Sequence, residues 1–259
     1  MLTLRFLRAF LIILTCGVTS TSIAAMHNHV TLYQPENLDA KGQQIPSAAQ
    51  IAKIFNYFER ETGLKFDIVV LPWKRAQLEV LHGHGILYGF SKSTERLEKY
   101  RFSQPVITFH VWAISYGKAN SQYAQLSDLK GKIVTSGLGL SHGEEYENAK
   151  NKVFIVQEDF ISYRERFRKL VQKRSDVLFI PFHQNDNREQ VEKFVNNTMV
   201  PEFKDPELDR QHFDISINPI FDDTIHFASD KTHFDSVINK IDMAIKKGMK
   251  SGALPKLYR

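Results

Sequence analysis

Residues 106–116 read VITFHVWAISY, an apolar run broken only by Thr108, His110 and Ser115. Strands in globular proteins usually extend over about five or six residues. A run of this length exceeds an ordinary strand within one small sheet, and it is a candidate for a segment that crosses from one lobe to another. Around it, short apolar runs alternate with amphipathic stretches, the pattern of an α/β architecture. Val30 to Tyr33, Phe66 to Leu71, Ile86 to Phe90, Ile133 to Ser136, Val153 to Val156, Val177 to Ile180 and Ile215 to Ile217 are predicted strands. A capping box at Ser47 to Gln50 predicts a helix carrying Ile51, Ile54, Phe55 and Phe58 and closed by Gly63. Pro72-Trp73 opens a second helix that ends near His82-Gly83. Further helices are predicted from about His142, at Tyr163 to Gln172, at Arg188 to Asn196 and at Phe234 to Lys250, the last reached through Thr224 to Ala228. Two crossings imply two lobes, the first built from both ends of the chain and the second from its middle.

The N-terminus carries Arg5 and Arg8, an apolar run from Ala9 to Val18, and small residues leading to Ala24-Ala25. That is the layout of a cleavable secretory signal, so residues 1–25 are expected to be removed and the product to be periplasmic. The apolar run is too short to span a bilayer. The only cysteine, Cys16, lies inside it. The mature chain is therefore expected to have no disulfide, no thiol nucleophile and no cysteine metal site, and to be held by its core alone. Its charge of +5 falls to +3 without the two signal arginines. So mild an excess in a secreted protein favours anionic ligands over nucleic acid. The densest basic run, Tyr163 to Arg174, puts Phe167, Leu170 and Val171 on one helical face and reads as a solvated helix surface.

Residues 88–106 read YGFSKSTERLEKYRFSQPV. A strand runs into Ser91, a polar turn follows, and Arg96 stands on a short helical stretch before Phe102-Ser103 and Pro105. Arg96 can present two parallel N–H donors to a planar carboxylate, and Ser91 can add a hydroxyl at the strand end. The segment resembles family 3 of the bacterial extracellular solute-binding proteins, the amino-acid-type substrate-binding proteins of ABC transporters. Leu126 to Lys132 resembles the family's L-x-D-L-x-G-K opening of the second lobe, Pro72 to Ala76 its P-W-x-R-A segment, and residues 225–257 its closing strand and helix, ending in S-G-x-L-x-K-L. The resemblance covers nearly the whole mature chain. It implies a two-lobed type II fold with two mixed sheets and a hinge, lobe one from residues 26–113 and 219–259 and lobe two from 114–218. It also implies that Ser91 and Arg96 hold a ligand carboxylate and that residues 136–143 form the lobe-two side of the site.

That glycine-rich turn, Ser136 to Gly143, fails as a dinucleotide fingerprint because its glycines follow G-x-G-x-x-x-G. Gly139-x-Ser141-x-Gly143 matches a nucleophile elbow, and Asp176 or Asp186 with His212 or His226 permits the order Ser, Asp, His. A third reading is a helix start at His142 whose N–H groups and the Ser141 hydroxyl receive an anion. Trp73, Tyr88, Phe90 and Trp112 sit where aromatics can stack on a ligand, Trp73 above all. His82-Gly83-His84 lies in a turn without nearby acids and reads as a solvated loop, so no metal site is assigned there; cleavage after Ala24 would leave Ala-Met-His, able to chelate Cu(II) or Ni(II). The family's aspartate for a ligand ammonium is replaced by Pro181, and the acid before the Ile86 strand by Gly85.

The sequence thus points to a non-enzymatic, monomeric binding protein without cofactor, closing over a small, carboxylate-bearing solute for an ABC permease or sensor. Its candidate site residues are Arg96, Ser91, Ser141, His142, Trp73, Tyr88 and Phe90. The alternatives are a serine hydrolase using Ser141 and a binding-protein fold recruited as a lyase.

Overall fold

The structure, a computed structural model, describes residues 28–36, 43–44, 49–117, 123–160 and 162–258. The signal-type segment, Cys16, Ser47 of the capping box and the Ala-Met-His terminus lie outside the described residues.

Ten strands are described: β1 (His29–Pro35), β2 (Lys65–Leu71), β3 (Ile86–Ser91), β4 (Tyr100–Phe102), β5 (Ile107–Tyr116), β6 (Ile133–Gly137), β7 (Ile155–Asp159), β8 (Val177–His183), β9 (Phe213–Ile215) and β10 (Phe221–Asp230). The helices of six or more residues that pack on them are α1 (Ala49–Thr62), α2 (Trp73–Leu81), α3 (Thr94–Lys99), α4 (Glu144–Ala149), α5 (Tyr163–Val171), α6 (Arg188–Phe194) and α7 (Asp235–Ser251). The strand path is β2-β1-β3-β10-β5-β8-β6-β7, with β4 on β10 and β9 on β5. The two expected sheets are therefore joined into one hydrogen-bonded path. The long strands do the joining. β10 pairs with β3 and β4 through Ile225 to Asp230 and with β5 through Phe221 to Ile225. β5 in turn pairs with β8 from Phe109 to Ile114 and with β9 beyond.

Side chains on successive strand residues point to opposite faces, and both faces are covered. On β5, Val111 and Ala113 join one apolar cluster while Trp112 and Ile114 join another; β8 splits likewise into Val177 and Phe179 against Leu178 and Ile180. Strands covered on both faces read as continuous apolar runs, which is why residues 106–116 look as they do. Pro181 falls in β8 opposite Val111. β6 pairs only with Val177 and Leu178, so the proline stands where β8 has a single neighbour and a missing N–H is tolerated.

Strand β3 departs from this alternation. Ile86 and Tyr88 pack under α1 and α7, and Leu87 packs with α2 on the other face, but Phe90 also joins the α2 side. Tyr88 pairs with Phe227 and Phe90 with His226, so two steps on β3 match one on β10. The extra residue is Gly89, at φ +87°. It is a β-bulge with a glycine in the left-handed region, which re-aims everything after it.

The basic helix α5 corrects the expectation of a solvated surface. Phe167 and Leu170 are buried as expected, but Arg166 is buried too. Arg164 and Arg168 both donate through Nε to Asp205 Oδ2, at 2.9 and 2.7 Å, and Lys169 donates to Asp159 at 2.7 Å. Asp205 is 1% exposed. Burial alone would raise its carboxyl, yet the two guanidiniums and the Glu207 N–H hold it down to about 2.

Gly89→Ala should destabilise the protein by about 1–2 kcal/mol in urea unfolding, because a Cβ in the left-handed region carries that penalty even where space is open. An unchanged midpoint would mean that the bulge does not need its glycine. Asp205→Asn tests the arginine clamp. A carboxyl whose folded pKa is depressed contributes stability above its unfolded value of about 3.9 and loses it as pH falls through the folded one. The wild type should therefore exceed the variant by about 2 kcal/mol at neutral pH, with a difference that shrinks between about pH 4 and pH 2. A gap independent of pH would contradict the clamp.

Candidate functional site

The bulge places Phe90 beneath Arg96. The ring of Phe90 lies parallel to Phe102 at 5.4 Å and takes Trp73 and Tyr100 on edge at 5.8 and 4.9 Å. Helix α3 starts at Ser93, whose hydroxyl accepts the Arg96 N–H, and this turns the Arg96 side chain back over the strand end. Its guanidinium carbon sits 4.0 Å from the Phe90 centroid. Nη1 donates to the Ser91 carbonyl at 2.8 Å and Nη2 to the Gly139 carbonyl at 3.0 Å. Burial pulls the Arg96 pKa below its usual value, opposed by Glu147 and other nearby groups. A guanidinium remains charged throughout, so it is a desolvated cation whose fork is met by two neutral carbonyls.

The second wall is the turn after β6. The Gly139 carbonyl also accepts from Gln77 Nε2 at 3.0 Å, so one carbonyl receives donors from both α2 and α3. The Ser91 hydroxyl lies 3.0 Å from the Ser141 carbonyl and 3.0 Å from Asp223 Oδ2, and its one proton can be donated to either acceptor. Asp223 is buried on β10, its Oδ1 lacks a hydrogen-bond partner, and His142 Nδ1 stands 3.3 Å from Oδ2. Ser141 presents its carbonyl to Ser91, while its hydroxyl accepts the Gly143 N–H at 3.2 Å.

The helix start and the partners of the residues named for each special reading of this turn differ from those the sequence suggested. The helix begins at Glu144 rather than His142, and its first turn carries Glu144, Glu145 and Glu147. Such a start is already acidic, which opposes a second anion. Glu144 instead reaches across to accept the Thr94 N–H at 2.5 Å, a contact that lowers its own pKa. The partners suggested for a nucleophilic Ser141 are engaged elsewhere. Asp176 accepts from Ile133 N–H and Asp186 from His183 N–H, His212 meets Glu192, and His226 meets the Ser103 carbonyl.

The turn divides the cleft in two. One cavity of about 230 Å³ is lined by Glu36, Trp73, Leu138, Asp159, Tyr163 and Arg166 among others. The other, about 300 Å³, lies on the far side of Leu138 and Leu140 and contains Arg96, Gln77, Lys74, Lys99 and Glu147. Trp73, Phe90, Ser91, Arg96, Ser141 and His142 are thus brought to one junction. Tyr88 is not: it is 5% exposed, sits in the core against Phe55 and Phe227, and shares a 2.8 Å contact with the Tyr258 hydroxyl. Trp112 is also a core residue, packed with Ile114 and Phe167.

Four residues of the junction escaped the sequence reading. Arg166 donates to Asp159 Oδ1 through Nε and Nη2 at 3.1 and 3.0 Å, and both line the smaller cavity. Arg166 directly precedes the buried Phe167, a position at the edge of the apolar face, and that was the one available signal. Asp223 and Gln77 carry no local signal, since each is one polar residue within an element of ordinary pattern.

No protein-family profile matches the chain, and no curated protein does. Solved structures do. An amino acid ABC transporter substrate-binding protein from Streptococcus pneumoniae, bound to L-arginine, is 17% identical with a TM-score of 0.65, over 90% of this chain and 94% of that one. A mutant of ArgBP from T. maritima is 16% identical with a TM-score of 0.63, over 91% and 95%. The ancestral amino acid-binding protein AncCDT-1, a precursor of cyclohexadienyl dehydratase, is 17% identical with a TM-score of 0.64, over 91% and 96%. The chain therefore has the two-lobed type II fold of periplasmic binding proteins, the fold of these amino acid ABC transporter substrate-binding proteins.

Proposed function

We propose that this protein binds a small carboxylate-bearing solute between its lobes and presents it, as an exported protein, to an ABC permease or sensor. The lobes divide within β5 near residue 113 and before β10 near residue 219. The observation that carries this reading is the fork of Arg96. Two parallel donors, pre-aimed by the Phe90 stack and the Ser93 cap, are met only by the Ser91 and Gly139 carbonyls. A carboxylate is the stronger acceptor, since it brings a charge opposite to the guanidinium and can take both donors of the fork at once. A ligand carboxylate would displace the Gly139 carbonyl from Arg96 and Gln77 and move the turn, opening the two cavities into one. The fold's known hinge closure then couples occupancy to a surface change.

Arg166 adds no unpaired charge to the cleft wall, since Asp159 Oδ1 already takes its Nε and Nη2 donors. An ammonium finds the acids suggested for it by the sequence already engaged, and the buried carboxylate oxygen near Ser91 that lacks a hydrogen bond is Asp223 Oδ1. Pro181 offers no charge, Glu144 and Asp186 are bonded to backbone N–H groups, and Asp159 is held by Arg166 and Lys169. An ion moved into such a cleft without a counter-charge loses hydration worth several kcal/mol. The preferred ligands are accordingly mono- or dicarboxylates lacking an α-amino group.

A thermal-shift screen of the mature protein against carboxylic acids and amino acids should find the ligand; at 100 times its dissociation constant it adds about 2.7 kcal/mol of stability. Arg96→Lys keeps the charge but removes the fork, and should weaken that ligand at least tenfold, about 1.4 kcal/mol, in isothermal titration. Equal affinity in a folded variant removes Arg96 from the site. Titration of succinate against aspartate reads the selectivity. Tenfold tighter binding of aspartate would mean that an acid, Asp223 being the buried one nearest Ser91, serves the ammonium after all.

A further inference from the structure

Helix α2 ends in a Schellman turn. The Gly83 N–H donates to the Val80 carbonyl at 3.0 Å and the His84 N–H to the Glu79 carbonyl at 3.1 Å. Gly83 makes the reversal at φ +75°. This fold-back sets the residue after the glycine over the third residue from the helix end, a pair that is usually apolar. Here it is His84 and Glu79, with Nδ1 and Oε2 2.8 Å apart. His82 stands at the helix cap between them, its ring centroid 5.9 Å from that of His84. One ligand atom from each of Glu79, His82 and His84 lies within 4.8 Å of the others. The expectation of a histidine loop without nearby acids is thus corrected. The acid is Glu79, brought up by the turn.

We propose that Glu79, His82 and His84 form a binding site for a divalent transition-metal ion, with Zn(II) as the type ligand, at the C-terminal end of α2. Two imidazoles and one carboxylate are the donor set that borderline cations prefer, with a fourth position left to water or a further ligand. Tetrahedral bonds of about 2.1 Å place donor atoms roughly 3.4 Å apart. Glu79 and His84 are already closer than that, and both imidazoles are exposed and free to turn. Glu79 Oε1 accepts from Arg75 Nε at 2.6 Å, which orients the carboxylate and leaves Oε2 for the metal. Arg75 repels a cation, but the carbonyl end of α2 attracts one. Gly83 contributes space as well as conformation. A Cβ there would lie 2.6 Å from His233 Nδ1, so the glycine lets that imidazole wall the turn.

The three donors lie outside the cleft: none of Glu79, His82 and His84 lines either cavity, although their neighbours Gln77, Leu78 and Leu81 line the larger one. The proposal therefore stands whether or not the cleft binds a carboxylate.

The test is titration of metal-stripped mature protein with Zn(II), followed by calorimetry, with the absorption of bound Co(II) as the report of coordination. One saturable site is expected, with a melting temperature that rises as Zn(II) is added. H82A/H84A should bind at least tenfold more weakly while melting as the wild type does in EDTA, since both rings are exposed. If the double variant melts lower, His82→Gln alone, which alters only an exposed ring, gives the same reading. A variant that binds Zn(II) as tightly as the wild type overturns the proposal, by assigning the metal to another group such as His29 with Asp67. So does the absence of saturable binding.

Discussion

The bulge at Gly89 is the constraint on which the site depends. Without it, period-two alternation would put Phe90 on the same face as Tyr88, in the core beneath α1 and α7. With one extra residue on β3, Phe90 turns to the α2 side instead. The ring then supplies the flat apolar surface over which the Arg96 guanidinium lies. Ser91 follows one residue later at the strand end, where its carbonyl meets Arg96 and its hydroxyl meets the opposite wall. A single backbone residue outside the ordinary allowed regions thus sets the positions of three side chains. Bulges recur beside functional sites for this reason.

Of four contacts that meet across the cleft, three use main-chain acceptors and the fourth uses the Glu144 carboxylate. The Gly139 carbonyl takes donors from Arg96 and Gln77, the Ser141 carbonyl takes the Ser91 hydroxyl, and the Thr94 N–H meets Glu144. Each contact joins α2, α3 or the end of β3 to the turn and helix after β6. All are short polar contacts between groups that a ligand could satisfy equally well. A turn carrying glycines at 137, 139 and 143 can rearrange at low conformational cost. The same economy explains why the turn, rather than a side chain, separates the two cavities.

Charge is distributed in the molecule by pairing, not by exposure. The arginines of α5 illustrate it, since Arg164 and Arg168 converge on buried Asp205 while Arg166 faces Asp159 in the cleft. Removing one partner from such a group leaves a desolvated charge behind, so these residues are more constrained than their sequence context suggests. At the opposite end of α2, Glu79 is likewise shared between Arg75 and His84. Asp223 differs: it is buried beside Ser91 and His142, with one oxygen still without a hydrogen bond.

Much of this protein was legible in its residues. Periodicity located most of the strands and helices, and the length of residues 106–116 marked the strand that serves both halves, because a run covered on both faces must be apolar throughout. Ser91, Arg96, Trp73 and the turn at 136–143 stood out because each follows an element end, where side chains can reach a cleft. Tyr88 was misplaced and Arg166 overlooked for one physical reason. Alternation and amphipathicity describe a residue's relation to its own element, and they hold only while the element is regular and its outer face meets water. The bulge at Gly89 breaks the first condition, and the packing of α5 against the cleft and Asp205 breaks the second. The Ser91–Asp223 contact spans 132 residues and the Arg96–Gly139 contact 43. Contacts of that separation leave no local pattern, so only the tertiary structure could bring these groups together.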